Sequence, residues 1–262
     1  MVFCFMPELV IFVVENTSKK MELKGRNIIV TGSSGGLGPA VVRNLINFGA
    51  FCYLPVRDEK EVDKMNKFLN SENLNINQIE MQSGIDLVDP EQTQQYFNSI
   101  KDKTEVWSLV NLAGGFGMGK IDETKLSELD RMLDINTKTC FNSTKEAVKI
   151  LKKQKKGGRI LNVASKPAEY PRQGAGLVAY SMSKSAVIAL TQSVAEEVKN
   201  DNILVNAISP SIIDTPDNRQ AMPKAEHNKW PKPDSIANAV CFLVSPLNRI
   251  SQGAIFPVHG KV

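Results

Sequence analysis

Along this sequence, short apolar runs alternate with longer stretches in which apolar residues recur at helical spacing. That alternation limits the fold more than any other feature. The runs Asn27–Thr31, Ala50–Val56, Gln78–Gln82, Val106–Leu112, Arg159–Ala164, Leu204–Ile208 and Ala254–Val258 read as strands. Between them, Leu37–Phe48, Glu59–Leu69, a segment opening near Pro90, Leu126–Lys153 (interrupted near Asn136), Val178–Lys199 and Ser235–Val244 read as helices. Strand and helix in strict turn predict an α/β fold, a doubly wound parallel sheet with helices on both faces. Asp214–Pro233 has four prolines and no period. A loop that long in a compact domain points to function.

The 262 residues are within reach of one α/β domain, expected over 21–262, with residues 211–233 as a substrate loop. An apolar fraction of 42% and a charged fraction of 23% suit a chain with a buried core. A net charge of +4 gives no footprint for nucleic acid. The lysine run Lys149–Lys156 reads as a helix C-terminus ended by Gly157 and Gly158, where cations offset the helix dipole. The cysteines at 4, 52, 140 and 241 form no close pair, and with only His227 and His259 a metal site is not expected. They read as reduced and mostly buried, in a soluble cytoplasmic protein. Residues 1–20 read as an extension ahead of the domain. Val2–Val14 is too short to span a bilayer and lacks the basic start and cleavage site of a signal peptide, which leaves a weak membrane or partner anchor as the alternative.

Directly after the first strand comes Thr31-Gly32-Ser33-Ser34-Gly35-Gly36-Leu37-Gly38, and a helix follows. Glycines let the backbone turn sharply and approach a pyrophosphate, and the helix N-terminus offers free N–H groups and a positive dipole end to the anion. Thr31, Gly32, Ser34, Gly36, Leu37 and Gly38 are the candidate phosphate-binding residues.

The spacing Thr31-Gly32-x-x-x-Gly36-x-Gly38 resembles that of the short-chain dehydrogenase/reductase family. The resemblance extends over nearly all of Met21–Val262, through Asp86-Leu87, Asn111-x-Ala113-Gly114, Asn136, Ser165, Tyr180-x-x-x-Lys184, and Pro210 with Thr215. It implies a Rossmann-type sheet, a nicotinamide cofactor, reversible hydride transfer to a carbonyl, and a homotetramer or homodimer built on the two long helices. Asp86 and Leu87 would meet the adenine. Asn111, Ala113, Gly114, Pro210, Ile213 and Thr215 would border the rest of the cofactor, with Thr215 on the carboxamide. Lys184 would hold the nicotinamide ribose and Asn136 a water behind it.

Tyr180 and Lys184, four apart on a predicted helix, share one face. A phenol is a poor acid–base near neutrality, and an adjacent ammonium favours its phenolate. The Ser165 hydroxyl would bind the substrate oxygen. NAD-binding relatives place an acid at the end of the second strand, where this chain has Val56 followed by Arg57. An arginine can pair with a 2′-phosphate, which favours NADP(H), although Asp58 stands beside it.

The chain departs from the family pattern in two places. Ser211 replaces the usual glycine after Pro210, and would be strained if a glycine-type angle were needed there. The segment Lys166–Gly176, between Ser165 and Tyr180, is slightly long. Ala113-Gly114-Gly115-Phe116 and Asp214–Pro223 with Trp230 resemble quinonoid dihydropteridine reductases locally. Phe116, Met222 and Trp230 are candidate substrate contacts. The leading expectation is an NADP(H)-dependent ketone/alcohol oxidoreductase. The alternatives are a dihydropteridine reductase-like enzyme, a 3-oxoacyl thioester reductase, or an NADP(H)-binding sensor without turnover.

Overall fold

Ile28, Ile29 and Val30 are fully buried and β-branched, and they form the centre of strand β1 (Asn27–Thr31). The computed structural model describes residues 21–262, so the expected extension over residues 1–20 and Cys4 lie outside the described residues. The remaining strands are β2 (Phe51–Pro55), β3 (Ile79–Gln82), β4 (Val106–Asn111), β5 (Gly158–Val163), β6 (Ile203–Pro210) and β7 (Ile255–Val258). They form one sheet in the order β3-β2-β1-β4-β5-β6-β7, every pair parallel. This is the Rossmann-type doubly wound sheet expected from the sequence. The strand order reverses between β1 and β4, where the crevice above the strands' C-terminal ends receives ligands in such sheets.

The helices divide by face. On one side α1 (Gly38–Asn47), α2 (Glu59–Ser71) and α9 (Pro233–Val244) bury Val41, Leu45, Met65, Leu69, Val240 and Val244 against the sheet. On the other, α3 (Pro90–Lys101), α5 (Thr139–Gln154) and α7 (Val178–Glu197) bury Phe97, Ile100, Ile150, Leu151 and Ala195. Burial of each large apolar side chain is worth about 1.5–3 kcal/mol. Local chemistry starts several of these helices. The Asp58 carboxylate caps α2 by accepting from Glu61 N at 3.0 Å, and Asp89 caps α3 ahead of Pro90.

The interruption expected near Asn136 is a π-helical turn, Leu133–Lys138, set between α4 (Leu126–Met132) and α5. The lysine run closes α5 with Lys155 in the left-handed region at φ 56°, and Gly157 follows at φ 72°. Lys149 pairs with Glu146, Lys152 with Asp201 and Lys156 with Glu105. This turn lies at the N-terminal end of β5, on the edge of the sheet away from the crevice. Cys52, Cys140 and Cys241 are free and buried.

Two helices fall where the sequence has no period. α6 (Lys166–Glu169) follows Ser165, and α8 (Pro216–Ala221) forms inside the proline-rich stretch, capped by Thr215 Oγ1, which accepts from Asn218 N at 3.3 Å. Ser211 is not among the residues with positive φ, so no glycine-type angle is needed there; its hydroxyl donates to the His259 carbonyl at 2.8 Å.

Candidate active site

The loop after β1 is shaped by what its glycines lack. Gly32 sits at φ 64°, and a Cβ there would come within 2.5 Å of Ala113 N. A Cβ on Gly38 would run into the Ser33 carbonyl, and one on Gly36 would lie 3.2 Å from the Thr215 methyl. The backbone of the loop is therefore pressed against the segments after β4 and β6. Helix α1 starts at Leu37 with no side-chain cap and carries Pro39 in its first turn, leaving its N-terminal N–H groups to a ligand. The Ser33 hydroxyl is buried without a partner.

Beneath this loop a buried polar ladder crosses the sheet. Thr31 Oγ1 accepts from Ala113 N at 3.2 Å, and Asn111 Nδ2 donates to Asn162 Oδ1 at 2.9 Å and Thr144 Oγ1 at 3.1 Å. Asn162 Nδ2 then donates to Thr191 Oγ1 on α7 at 2.9 Å. The Asn111 side chain is thus committed inside the protein, fixing the segment that leads to Ala113 and Gly114. Asn162 escaped the sequence reading. Its signal was a polar residue in a strand otherwise apolar, and its partner became visible only from the register pairing Asn111 with Asn162.

Above the ladder, α7 carries Tyr180 and Lys184. Lys184 Nζ is buried and donates to the Val163 carbonyl at 2.8 Å. Burial pulls its ammonium down to about 8, with Cys140 nearby acting weakly in the opposite direction. A Cβ on Gly114 would lie 3.2 Å from Nζ and 2.5 Å from Asn136 Oδ1, so only a glycine lets lysine, asparagine and turn meet. Asn136, fully buried in the π turn, accepts from Gly115 N at 2.9 Å and donates to the Gly115 carbonyl and the Ser183 hydroxyl, both at 3.1 Å. Its amide clamps the Gly114–Gly115 turn beside Lys184.

Ser165, at the end of β5, is buried, and its hydroxyl has no hydrogen-bond partner. Burial raises the Tyr180 phenol above its ordinary value, and the adjacent Ser165 hydroxyl pulls it partly back, although the two side chains fall short of hydrogen-bond geometry. The Phe116 ring stands edge-on to Tyr180 at 5.0 Å. A tyrosine, an unpartnered serine hydroxyl and a buried lysine of lowered pKa therefore converge at the C-terminal edge of β4 and β5. That set can pass a proton to an oxygen held by Ser165.

The other candidates spread around this centre. Arg57 is exposed at the end of β2, where its guanidinium donates to Glu61 at 2.8 and 3.1 Å while Asp58 faces the α2 terminus. Asp86 is exposed, with its carboxylate accepting from Val88 N at 2.9 Å; Leu87 is buried behind it, and its carbonyl accepts from Asn142. Pro210, Ile213 and Thr215 line the exit of β6 opposite the glycine loop. Trp230 is buried and packs on His227 at 4.7 Å, and His227 Nε2 lies 2.8 Å from the carbonyl of half-buried Met222, so Trp230 is tied to the interior of its own loop and Met222 is joined to it through its backbone. A contact the sequence did not suggest joins the segments after β5 and β7: His259 Nε2 lies 3.5 Å from the Glu169 carboxylate.

Among the described residues no group of His, Cys, Asp and Glu is arranged to hold a metal, and no helix is long and apolar enough to cross a membrane. The family model for short chain dehydrogenases matches residues 26–226. A 3alpha-hydroxysteroid dehydrogenase of Mediterraneibacter gnavus is 34% identical over 256 residues, covering 92% of this chain and 98% of that protein. A 3-oxoacyl-[acyl-carrier-protein] reductase of Rickettsia bellii is 28% identical over 248 residues, covering 92% and 98%. The solved structure of ElxO with NADP bound superposes with a TM-score of 0.81 at 23% identity, over 90% of this chain and 97% of that one, a likeness of fold. With a family match over most of its length and relatives matched nearly end to end, this chain belongs to the short-chain dehydrogenase/reductase family of oxidoreductases.

Proposed function

We propose that this protein is an NADP(H)-dependent oxidoreductase interconverting a ketone and a secondary alcohol, with Tyr180 as the proton donor and acceptor. The observation that carries the proposal is the convergence of the Tyr180 phenol, the unpartnered Ser165 hydroxyl and buried Lys184 at one point of the crevice. Bound NADPH would supply the hydride.

The residues present fit that cofactor. The glycine loop leaves space that any Cβ at Gly32 or Gly38 would fill, and α1 leaves its N-terminal N–H groups uncapped, the arrangement a pyrophosphate requires. Arg57, with no acid in the position before it, supports a 2′-phosphate, to which its guanidinium would turn from Glu61. Ser165 orients the substrate oxygen and donates to it as charge develops. Tyr180 gives its proton to that oxygen. Lys184, beside the same turn, favours the phenolate left behind whenever its own ammonium is charged. Asn136 fixes the Gly114–Gly115 turn against which Lys184 rests.

The test is loss of NADPH absorbance with purified protein against a panel of ketones, thioesters and a quinonoid dihydropterin, with Tyr180→Phe alongside. Turnover by the native chain should vanish in the variant, while NADPH binding stays within about threefold. A variant as active as the native chain would remove Tyr180 from the mechanism.

A further inference from the structure

We infer that the substrate is a bulky, uncharged, apolar ketone or secondary alcohol whose body lies on an apolar rim of the crevice formed by Phe116, Met118, Ile121, Tyr170 and Ile212. The inference rests on the reading that Tyr180 is where the carbonyl oxygen sits.

These five side chains are exposed by 56%, 75%, 70%, 44% and 37%. Exposed large apolar residues scattered singly carry no message, but a contiguous group does. These five fall on just three segments, those following β4, β5 and β6, and a parallel sheet delivers all three to the same edge. Hydrogen bonds and ring contacts bring the segments together. Phe116 is edge-on to Tyr180, and Gly119 N donates to the Gly176 carbonyl at 2.8 Å, holding the strip from Met118 to Ile121 beside the approach to α7. Tyr170 closes α6 just beyond Ser165, and its ring lies 5.9 Å from that of His259. The His259 carbonyl in turn accepts from Ser211, the neighbour of Ile212. The rim therefore runs from the reacting point outward on both sides.

Several charges on these segments are used internally. Glu169 faces His259, Asp214 pairs with Arg219 in a two-point contact, and Arg131 binds Glu128 and reaches the Phe116 carbonyl. Lys120, between Met118 and Ile121, and Arg172 are exposed and make no ion pair among the described residues, so an anionic substrate would meet only solvent-facing cations on these segments, whose pairing is worth about 0–1 kcal/mol. An apolar body needs nothing beyond the side chains already turned outward, and its transfer from water onto them supplies the binding.

The experiment compares kcat/KM, with saturating NADPH, for cyclohexanone, a rigid polycyclic ketone, the same polycycle bearing a carboxylate, and an acetoacetyl thioester. The neutral polycycle is expected to exceed cyclohexanone by roughly a hundredfold, and Met118→Ser with Ile121→Ser should reduce that ratio by about tenfold, the effect of losing large apolar contacts. A preference for the thioester or the carboxylate, or a ratio untouched by the double substitution, overturns the inference. Equilibrium dialysis of the neutral polycycle against NADPH-loaded Tyr180→Phe protein separates it from the parent reading. Binding that is lost with Met118→Ser and Ile121→Ser upholds the rim even if turnover fails, and absence of binding overturns it. If those substitutions instead dissociate an oligomer in sedimentation with the substrate ratio unchanged, the rim is an interface between copies and the inference falls.

Discussion

At the scale of the residue, Lys184 shows a site working against its own fold. Its ammonium is buried and its pKa is drawn from 10.5 down to about 8. The unfolded chain holds that proton more tightly than the folded one, so the penalty is present in full below about pH 8 and is relieved as pH rises toward 10.5. Its size is about 3 kcal/mol. Lys184→Met should therefore stabilise the cofactor-free protein by about 1–2 kcal/mol at pH 7, since the lost bond to the Val163 carbonyl offsets part of the gain, while abolishing turnover. Urea unfolding across pH 7 to 10 would check this, and a variant less stable than the native chain at pH 7 would count against it. Arg57 makes a different prediction. Arg57→Ala should weaken NADPH binding about tenfold or more and move NADH binding by less than about threefold, read by titration of cofactor fluorescence. Equal losses would remove Arg57 from the 2′-phosphate. Both residues were readable in the sequence, because Tyr180 and Lys184 are fixed by helical spacing and Arg57 by its place after a strand. The partners were not readable. That Asn136 grips Gly115 and that Glu61 holds Arg57 depend on side-chain packing that periodicity does not encode.

At the scale of the element, the glycine loop and α1 act as one unit. Gly38→Ala places a Cβ on the Ser33 carbonyl, a backbone contact that no side-chain rotation relieves. The loop must shift, at a cost of roughly 1–3 kcal/mol in stability, and cofactor affinity should fall with it. Thermal unfolding with and without NADPH measures both effects, and a variant still stabilised by NADPH as the native chain is would show that the loop yields more easily than its contacts imply. The elements themselves were legible where length gave period a chance to show. β1 lies where its apolar run predicts, and the break expected near Asn136 is the π turn. α6 and α8 were invisible because four and six residues are too few for a helical stripe. α8 forms because Thr215 caps it and Pro216 fits its first turn, signals of chemistry rather than of pattern.

At the scale of the whole molecule, the two tryptophans report on regions far apart in role. Trp107, on β4, is flanked by the guanidinium groups of Arg26 and Arg159 and donates to the Val244 carbonyl at 2.7 Å. Trp230 anchors the loop after β6, whose end is tied to the C-terminal segment by Lys261 N donating to the Lys229 carbonyl at 2.8 Å. That burial and bonding predict that the loop unfolds together with the core. With Trp107→Phe, urea unfolding followed by Trp230 emission should coincide with loss of far-ultraviolet circular dichroism. An earlier Trp230 transition would mark the loop as a separately melting unit. The sequence foretold the layers of this architecture because binary patterning carries them. It was silent on His259 meeting Glu169, since that meeting depends on β7 docking beside β6 and bringing its end over the segment after Ser165.

The lysine-rich turn between α5 and β5 has a practical corollary. Its ε-amino groups, Lys152, Lys153 and Lys156 among them, crowd the edge of the sheet opposite the crevice and are exposed there. An aldehyde-activated bead that joins the protein at that edge would leave the reacting groups facing the liquid. A biocatalyst fixed this way would keep its mouth open without any engineered tag.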